Sequence, residues 1–229
     1  KGTGWLMRER AVSLPALTEI AHRAVARAFE ARALPKGGDG VPAFPFAVGA
    51  TAGNGYDAVF LARQVGEGGL IAAFDVQEAA LAATRDRLAA EGLLGRVRLV
   101  RSGHEHMERE LARLFPALEL RGKVTAIMFN LGFLPGSDKA VTTAAPTTVA
   151  ALDAASRLLA CGGVLSAHVY TGHRGGMEED RAVLAWSAAL SPEEWRVLSL
   201  SQPNKARNLE RLILAERLFP KGKGGAGRP

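Results

Sequence analysis

Trp195-Arg-Val-Leu-Ser-Leu-Ser-Gln-Pro-Asn-Lys-Ala-Arg-Asn-Leu-Glu-Arg-Leu-Ile-Leu-Ala-Glu-Arg-Leu218 holds two strand-like runs, Trp195–Leu200 and Leu209–Leu218, separated by a turn-length segment. A parallel crossover needs a dozen or more residues, so these two runs must pair antiparallel. The chain before them is organised differently. Phe44–Gly49, Leu70–Asp75, Val97–Val100, Val124–Phe129 and Val164–Tyr170 read as apolar strands. Helical segments follow each in turn: Tyr56–Val65, Glu78–Glu91, His104–Phe115, Pro146–Ala160 and Glu178–Leu190. An additional helix is expected ahead of them, where Leu17, Ile20, Ala21, Ala24, Val25, Ala28 and Phe29 recur at helical spacing behind Pro15. Alternating β and α elements give a parallel sheet with helices on both faces. The expectation is five parallel strands followed by an antiparallel pair.

The chain has 229 residues, 48% of them apolar, enough to bury a substantial core. Residues 1–14 read as a flexible segment, 15–219 as one domain, and 220–229 as a disordered, Gly-rich basic tail. No apolar run approaches the roughly 20 residues of a membrane span. A single cysteine, Cys161, rules out an intrachain disulfide and a Cys-rich metal site, and suits a reducing compartment. The chain begins at Lys1 rather than Met. The expected location is the cytoplasm, or an organelle if a leader has been removed. Net charge is +6, yet residues 1–10 carry +2 of it and residues 221–229 carry +3, leaving +1 for the body. That excess at the ends suits a solvated tail and a phosphate-binding arm equally. A homodimer is admitted but not required.

The first strand runs into Gly49-Ala-Thr-Ala-Gly-Asn-Gly-Tyr-Asp-Ala58. Glycines there let the backbone turn tightly and approach a ligand. The second strand ends at Asp75, where an acid can accept hydrogen bonds from ribose hydroxyls. Gly53-x-Gly55-x-x-Ala58 satisfies the dinucleotide pattern, and it suits S-adenosylmethionine equally. An NAD-dependent oxidoreductase is therefore one reading. The antiparallel terminal pair favours the other, the plan of the class I methyltransferases. That plan is a Rossmann-like α/β fold with a seven-stranded, mostly parallel sheet, a C-terminal antiparallel strand, and helices on both faces.

Asn130 follows the fourth strand, hence beside the crevice where open α/β sheets bind ligands. Asn130-Leu-Gly-Phe133 has the skeleton Asn-x-x-aromatic and looks like a variant of the motif of methyltransferases that act on amino nitrogen. An amine attacks through its lone pair, so an amide oxygen that accepts its N–H bonds can aim it. Phe133 can stack on a planar base. Asp138 can orient or deprotonate an ammonium group, and Lys139 can meet a phosphate. His173, after the fifth strand, faces the same crevice and can accept the amine's proton. His104 and His106 open a helix, where i and i+2 point apart, so no metal is expected. His168 and His22 are read as structural.

Together these blocks resemble the YtqB-like, MnmM-type methyltransferases. The resemblance rests on Ala50-Thr-Ala-Gly-Asn-Gly55, Phe60-Leu-Ala62, Phe74-Asp-Val-Gln77, Gly103-His-Glu105, Phe129 to Lys139, and Tyr170-Thr-Gly-His173 followed by Gly175 to Glu179. It implies methylation of the 5-aminomethyl group of 5-aminomethyl-2-thiouridine at the tRNA wobble position, with S-adenosylmethionine as donor and tRNA as partner. It implies cofactor contacts from Thr51, Gly53, Asn54, Gly55, Asp75, Gln77, His104, Glu105 and Asn130. Substrate contacts are implied for Leu131, Gly132, Phe133, Pro135, Lys139 and Tyr170, with Asn130, Asp138 and His173 as catalytic candidates. The family pattern has Asp where this chain has Gly49. That departure motivates a third reading, a catalytically impaired RNA-binding scaffold.

Overall fold

Why Asn130 faces a cavity while Leu131 does not follows from the alternation of one strand. The computed structural model describes residues 14–33, 45–132, 142–205 and 209–220. The ends read as flexible, and the loop from Phe133 to Lys139, lie outside or almost wholly outside these residues.

The chain order is α1 (Leu17–Ala33), β1 (Phe46–Gly49), α2 (Tyr56–Val65), β2 (Leu70–Asp75), α3 (Glu78–Ala90), β3 (Val97–Arg101), α4 (Met107–Leu114), β4 (Val124–Leu131), α5 (Ala145–Leu158), β5 (Leu159–Tyr170), α6 (Gly176–Ala188), β6 (Trp195–Ser201) and β7 (Glu210–Arg217). The sheet runs β3-β2-β1-β4-β5-β7-β6. β7 is antiparallel to both β5 and β6, while β1 to β5 are mutually parallel. This is the expected Rossmann-like class I plan, with β7 slotted between β5 and β6.

Successive strand side chains point to opposite faces. On one face Phe46, Phe74, Ile127, Phe129, Leu131 and Leu165 pack with Met107, Leu152 and Val183 from α4, α5 and α6. On the other, Ala47, Ile71, Ala126 and Met128 pack with Val25, Leu61 and Leu88 from α1, α2 and α3. Position 130 continues the Ala126, Met128 row and so faces α1 and α2.

Several boundaries differ from expectation. β4 continues two residues beyond Phe129, because Asn130 and Leu131 pair with His168 and Val169 of β5. β5 begins at Leu159, which pairs with Val124 before the register shifts, so the preceding helix is shorter than expected. His104–His106 forms a separate 3-10 turn ahead of α4.

Candidate functional site

The turn after β1 is stitched to both neighbouring strands. Ala50 N–H donates to the Met128 carbonyl at 2.8 Å and Ala52 N–H to the Phe74 carbonyl at 2.7 Å. The Asp75 carboxylate then takes two backbone donors, Gly53 N–H at 3.0 Å and Gln77 N–H at 2.9 Å. From behind, α3 clamps the turn: Thr84 Oγ1 donates to the Gly53 carbonyl at 3.1 Å and Arg87 Nε to the Asn54 carbonyl at 2.7 Å. Gly55 has φ 83°, and a Cβ there would stand 2.8 Å from Thr84 Cα. Only glycine fits this approach.

A cavity of about 660 Å³ opens at the carboxyl ends of the parallel strands. That is a typical size for a site holding a small organic ligand. It gathers Thr51, Gly53, Asn54, Asp75, Gln77, His104, Glu105, Asn130, Gly132 and Tyr170 from the expected set. Phe133, Pro135, Asp138 and Lys139 lie outside the described residues.

Asn130 is held on two sides. Its backbone N–H donates to Thr51 Oγ1 at 2.7 Å, and its Nδ2 donates to Asp57 Oδ2 at 2.6 Å. Asp57 Oδ1 accepts from His22 Nε2 at 2.7 Å, and the His22 ring stacks on Phe60 with centroids 3.9 Å apart.

Across the cavity, the Tyr170 hydroxyl lies 3.0 Å from His168 Nδ1, and the two rings stack at 4.2 Å. Burial raises the Tyr170 phenol above its ordinary value. Burial lowers His168, against the opposing pull of Glu210 3.5 Å from its Nε2. His104, packed edge-on against Phe129, is also lowered by burial, with Glu105, the Ala50 backbone and Asp75 opposing. Both imidazoles are therefore biased to the neutral form.

Among the described residues, three expected site residues do not line the cavity; one is Gly55, which sits against Thr84 behind the turn. Leu131 is fully buried in the core on the α5 side, because the pleat turns it away from Asn130. His173 does not line the cavity: its Nδ1 donates to the Arg174 carbonyl at 3.0 Å, and its Nε2 lies 4.0 Å from Glu179. That glutamate is fully buried and accepts Thr143 Oγ1 at 2.8 Å and Thr148 Oγ1 at 2.5 Å. His173 thus belongs to the wall behind Gly132.

The cavity also contains Thr18, Tyr56, Asp57 and Val76, which sequence reading had not singled out. Asp57 lies inside the glycine-rich block itself, so an acid two residues after Gly55 was a usable signal. Thr18 arrives from α1, far off in sequence, with no local signal. Gly49 is absent from the lining; a Cβ there would face Ala73 and Leu61 at 3.9 Å each, an apolar setting. Among the described residues, no three His, Cys, Asp or Glu side chains converge as a metal site would require, and no helix is long and apolar enough to cross a membrane.

A family model described as "Putative rRNA methylase" matches residues 71–216. A curated relative in Arabidopsis thaliana, "tRNA (mnm(5)s(2)U34)-methyltransferase, chloroplastic", is 36% identical over 161 residues, covering 65% of this chain and 54% of that protein. The chain thus spans about half the length of that relative. Among solved structures, a Clostridium thermocellum protein described as a "putative rRNA-methylase" has a TM-score of 0.76 at 30% identity, covering 90% of this chain and 100% of its own. A Streptococcus mutans protein described as "a putative methyltransferase", solved in complex with SAH, has a TM-score of 0.72 at 28% identity over the same shares.

Proposed function

The chain belongs to the family described as "Putative rRNA methylase", and on that footing we propose that it transfers a methyl group from S-adenosylmethionine to an amine of tRNA. The proposed acceptor is the 5-aminomethyl group of 5-aminomethyl-2-thiouridine at the wobble position. One observation carries the reading: Asp75 with the Gly53 turn, and Asn130, line a single cavity. The Arabidopsis relative's name supports the acceptor, and the SAH complex of the Streptococcus relative supports the donor.

The residues present fit such a donor. Each Asp75 oxygen uses one lone pair on a backbone N–H and keeps another for a ribose hydroxyl. Val76, about half exposed beside it, offers an apolar surface to a heterocycle. Gly55 starts α2 without a side-chain cap, so the first N–H groups and the positive end of the helix suit a carboxylate. S-adenosylmethionine supplies a methyl on a sulfonium, which an amine can displace directly.

The protein's task is then to position the amine. The Asn130 amide oxygen accepts an amine N–H and directs the lone pair inward. Asp138 is the proposed carboxylate for the ammonium form, and Phe133 the proposed stacking surface. His173 is a less direct base, since it sits in the wall behind Gly132. The NAD reading loses support, because the family and the inserted antiparallel β7 both belong to methyltransferases. The scaffold reading loses its motive, because Gly49 does not line the cavity. The proposed compartment remains the cytoplasm or an organelle, the latter in keeping with the chloroplastic relative.

The test is incubation of the protein with labelled S-adenosylmethionine and tRNA carrying 5-aminomethyl-2-thiouridine, followed by nucleoside mass spectrometry. One methyl on the side-chain nitrogen is expected. Thermal stabilisation by SAH without any transfer to this tRNA would remove the proposed acceptor. Stabilisation by NAD instead of SAH would remove the donor as well.

A further inference from the structure

We infer that Asp57 is a positioning residue for the acceptor amine, holding the Asn130 amide so that its oxygen is the acceptor left for the substrate. The inference rests on the amine-methylation reading above and adds a residue and a device to it.

Three elements meet at this carboxylate. α2 supplies Asp57, α1 supplies His22 and β4 supplies Asn130. Both Asp57 oxygens are occupied by donors, Nδ2 of Asn130 at 2.6 Å and Nε2 of His22 at 2.7 Å. The Asp57 side chain is 11% exposed and lines the cavity with Asn130. An amide can turn end for end at little steric cost, and a neighbour decides which end faces where. A carboxylate only accepts, so it binds the NH2 end. The Oδ1 of Asn130 is then the acceptor available to a bound amine. With the amide reversed, an NH2 would meet the amine and compete for the lone pair needed for attack.

His22 keeps the carboxylate in place. Its ring lies flat on Phe60, 3° from parallel, and Phe60 is three residues beyond Asp57 on the same face of α2. The bond to Asp57 puts the histidine proton on Nε2. Short bonds to an ionised acceptor are the stronger kind and carry directional control.

Exchange of the two side chains tests this. In Asp57→Asn, with the His22 proton kept on Nε2, the new amide oxygen accepts from His22, so its NH2 faces Asn130 and turns that amide round. Turnover should fall about 100-fold, with SAH affinity within about threefold of wild type. In the double variant Asp57→Asn with Asn130→Asp, the carboxylate now on β4 accepts from the amide now on α2 and again offers an oxygen to the cavity. Turnover should recover at least about tenfold over Asp57→Asn. A merely structural contact would lower and restore melting temperature and SAH affinity in parallel with turnover, whereas here turnover alone should fall and recover.

A second readout needs no activity. The Asn130 side-chain amide resonance, assigned by its loss in Asn130→Asp, should lie downfield in wild type and move upfield in Asp57→Asn. Wild-type turnover in Asp57→Asn, a folded double variant without recovery, or an unmoved resonance would each overturn the assignment. Wild-type protein that transfers no methyl to the amine would instead remove the acceptor reading, and the resonance would still decide the amide's direction.

Discussion

The Asp75 carboxylate accepts the backbone N–H of Gly53 at 3.0 Å, tying the end of β2 to the turn after β1. Its other oxygen takes Gln77 N–H at the start of α3. One side chain thus shapes the turn and faces the proposed ribose site. Asp75→Asn keeps the size but replaces one acceptor with an NH2, which opposes one of the two backbone donors. SAH affinity should fall about 10- to 100-fold, the worth of a charged hydrogen bond or two. Isothermal titration calorimetry measures it, and unchanged affinity would show that the acid only braces the backbone.

Gly55→Ala probes the same turn from behind. The position has φ 83°, and a Cβ would stand 2.8 Å from the backbone of Thr84. Thr84 is fully buried, and its hydroxyl is bonded to the Gly53 carbonyl, so α3 has little freedom to retreat. The substitution should cost about 1–3 kcal/mol of stability and weaken SAH binding together with it. A melting temperature equal to wild type would mean that α3 yields more easily than its packing implies.

Local patterning made the fold legible, and the glycine turn, Asp75 and Asn130 could be found from their places at strand ends. The direction of Leu131 was hidden because the fourth strand was ended at Phe129. Once pairing carries the strand to Leu131, alternation alone sends Asn130 and Leu131 to opposite faces. Asp57 stood in plain view within the glycine-rich block, yet its role depends on His22, 35 positions earlier, and Asn130, 73 positions later. No local pattern encodes such a meeting. The weight given to Gly49 had a similar source: position in a motif was visible, but the direction of the missing side chain was not.

His104 and His168 should make the fold sensitive to mild acid. Burial lowers both below the ordinary 6.5. In the unfolded chain each takes up a proton near that ordinary value, while in the fold each resists. Their contribution is therefore fully present above pH 6.5 and is lost as pH falls through the lowered native values. Each contributes a slope of at most about 1.4 kcal/mol per pH unit in that window. Denaturant melts of wild type and His168→Gln between pH 7.5 and 5 check this. The variant should show the shallower decline, and equal slopes would mean that Glu210 offsets the burial of His168.

Asn130→Ala and Leu131→Ala are adjacent substitutions with opposite expected signatures. Asn130 lines the cavity, and its proposed contact is with the nucleophile rather than the donor. Its loss should cut turnover about 100-fold and leave SAH affinity nearly unchanged. Leu131 is 0% exposed, in the cluster with Phe129 and Leu152. Its truncation should cost about 2–5 kcal/mol of stability while the surviving folded protein keeps its KM for the proposed tRNA substrate. Steady-state kinetics beside denaturant melts separate the two. A raised KM in Leu131→Ala without loss of stability would return that residue to the substrate side, and equal loss of turnover and SAH affinity in Asn130→Ala would put the amide against the donor instead of the amine.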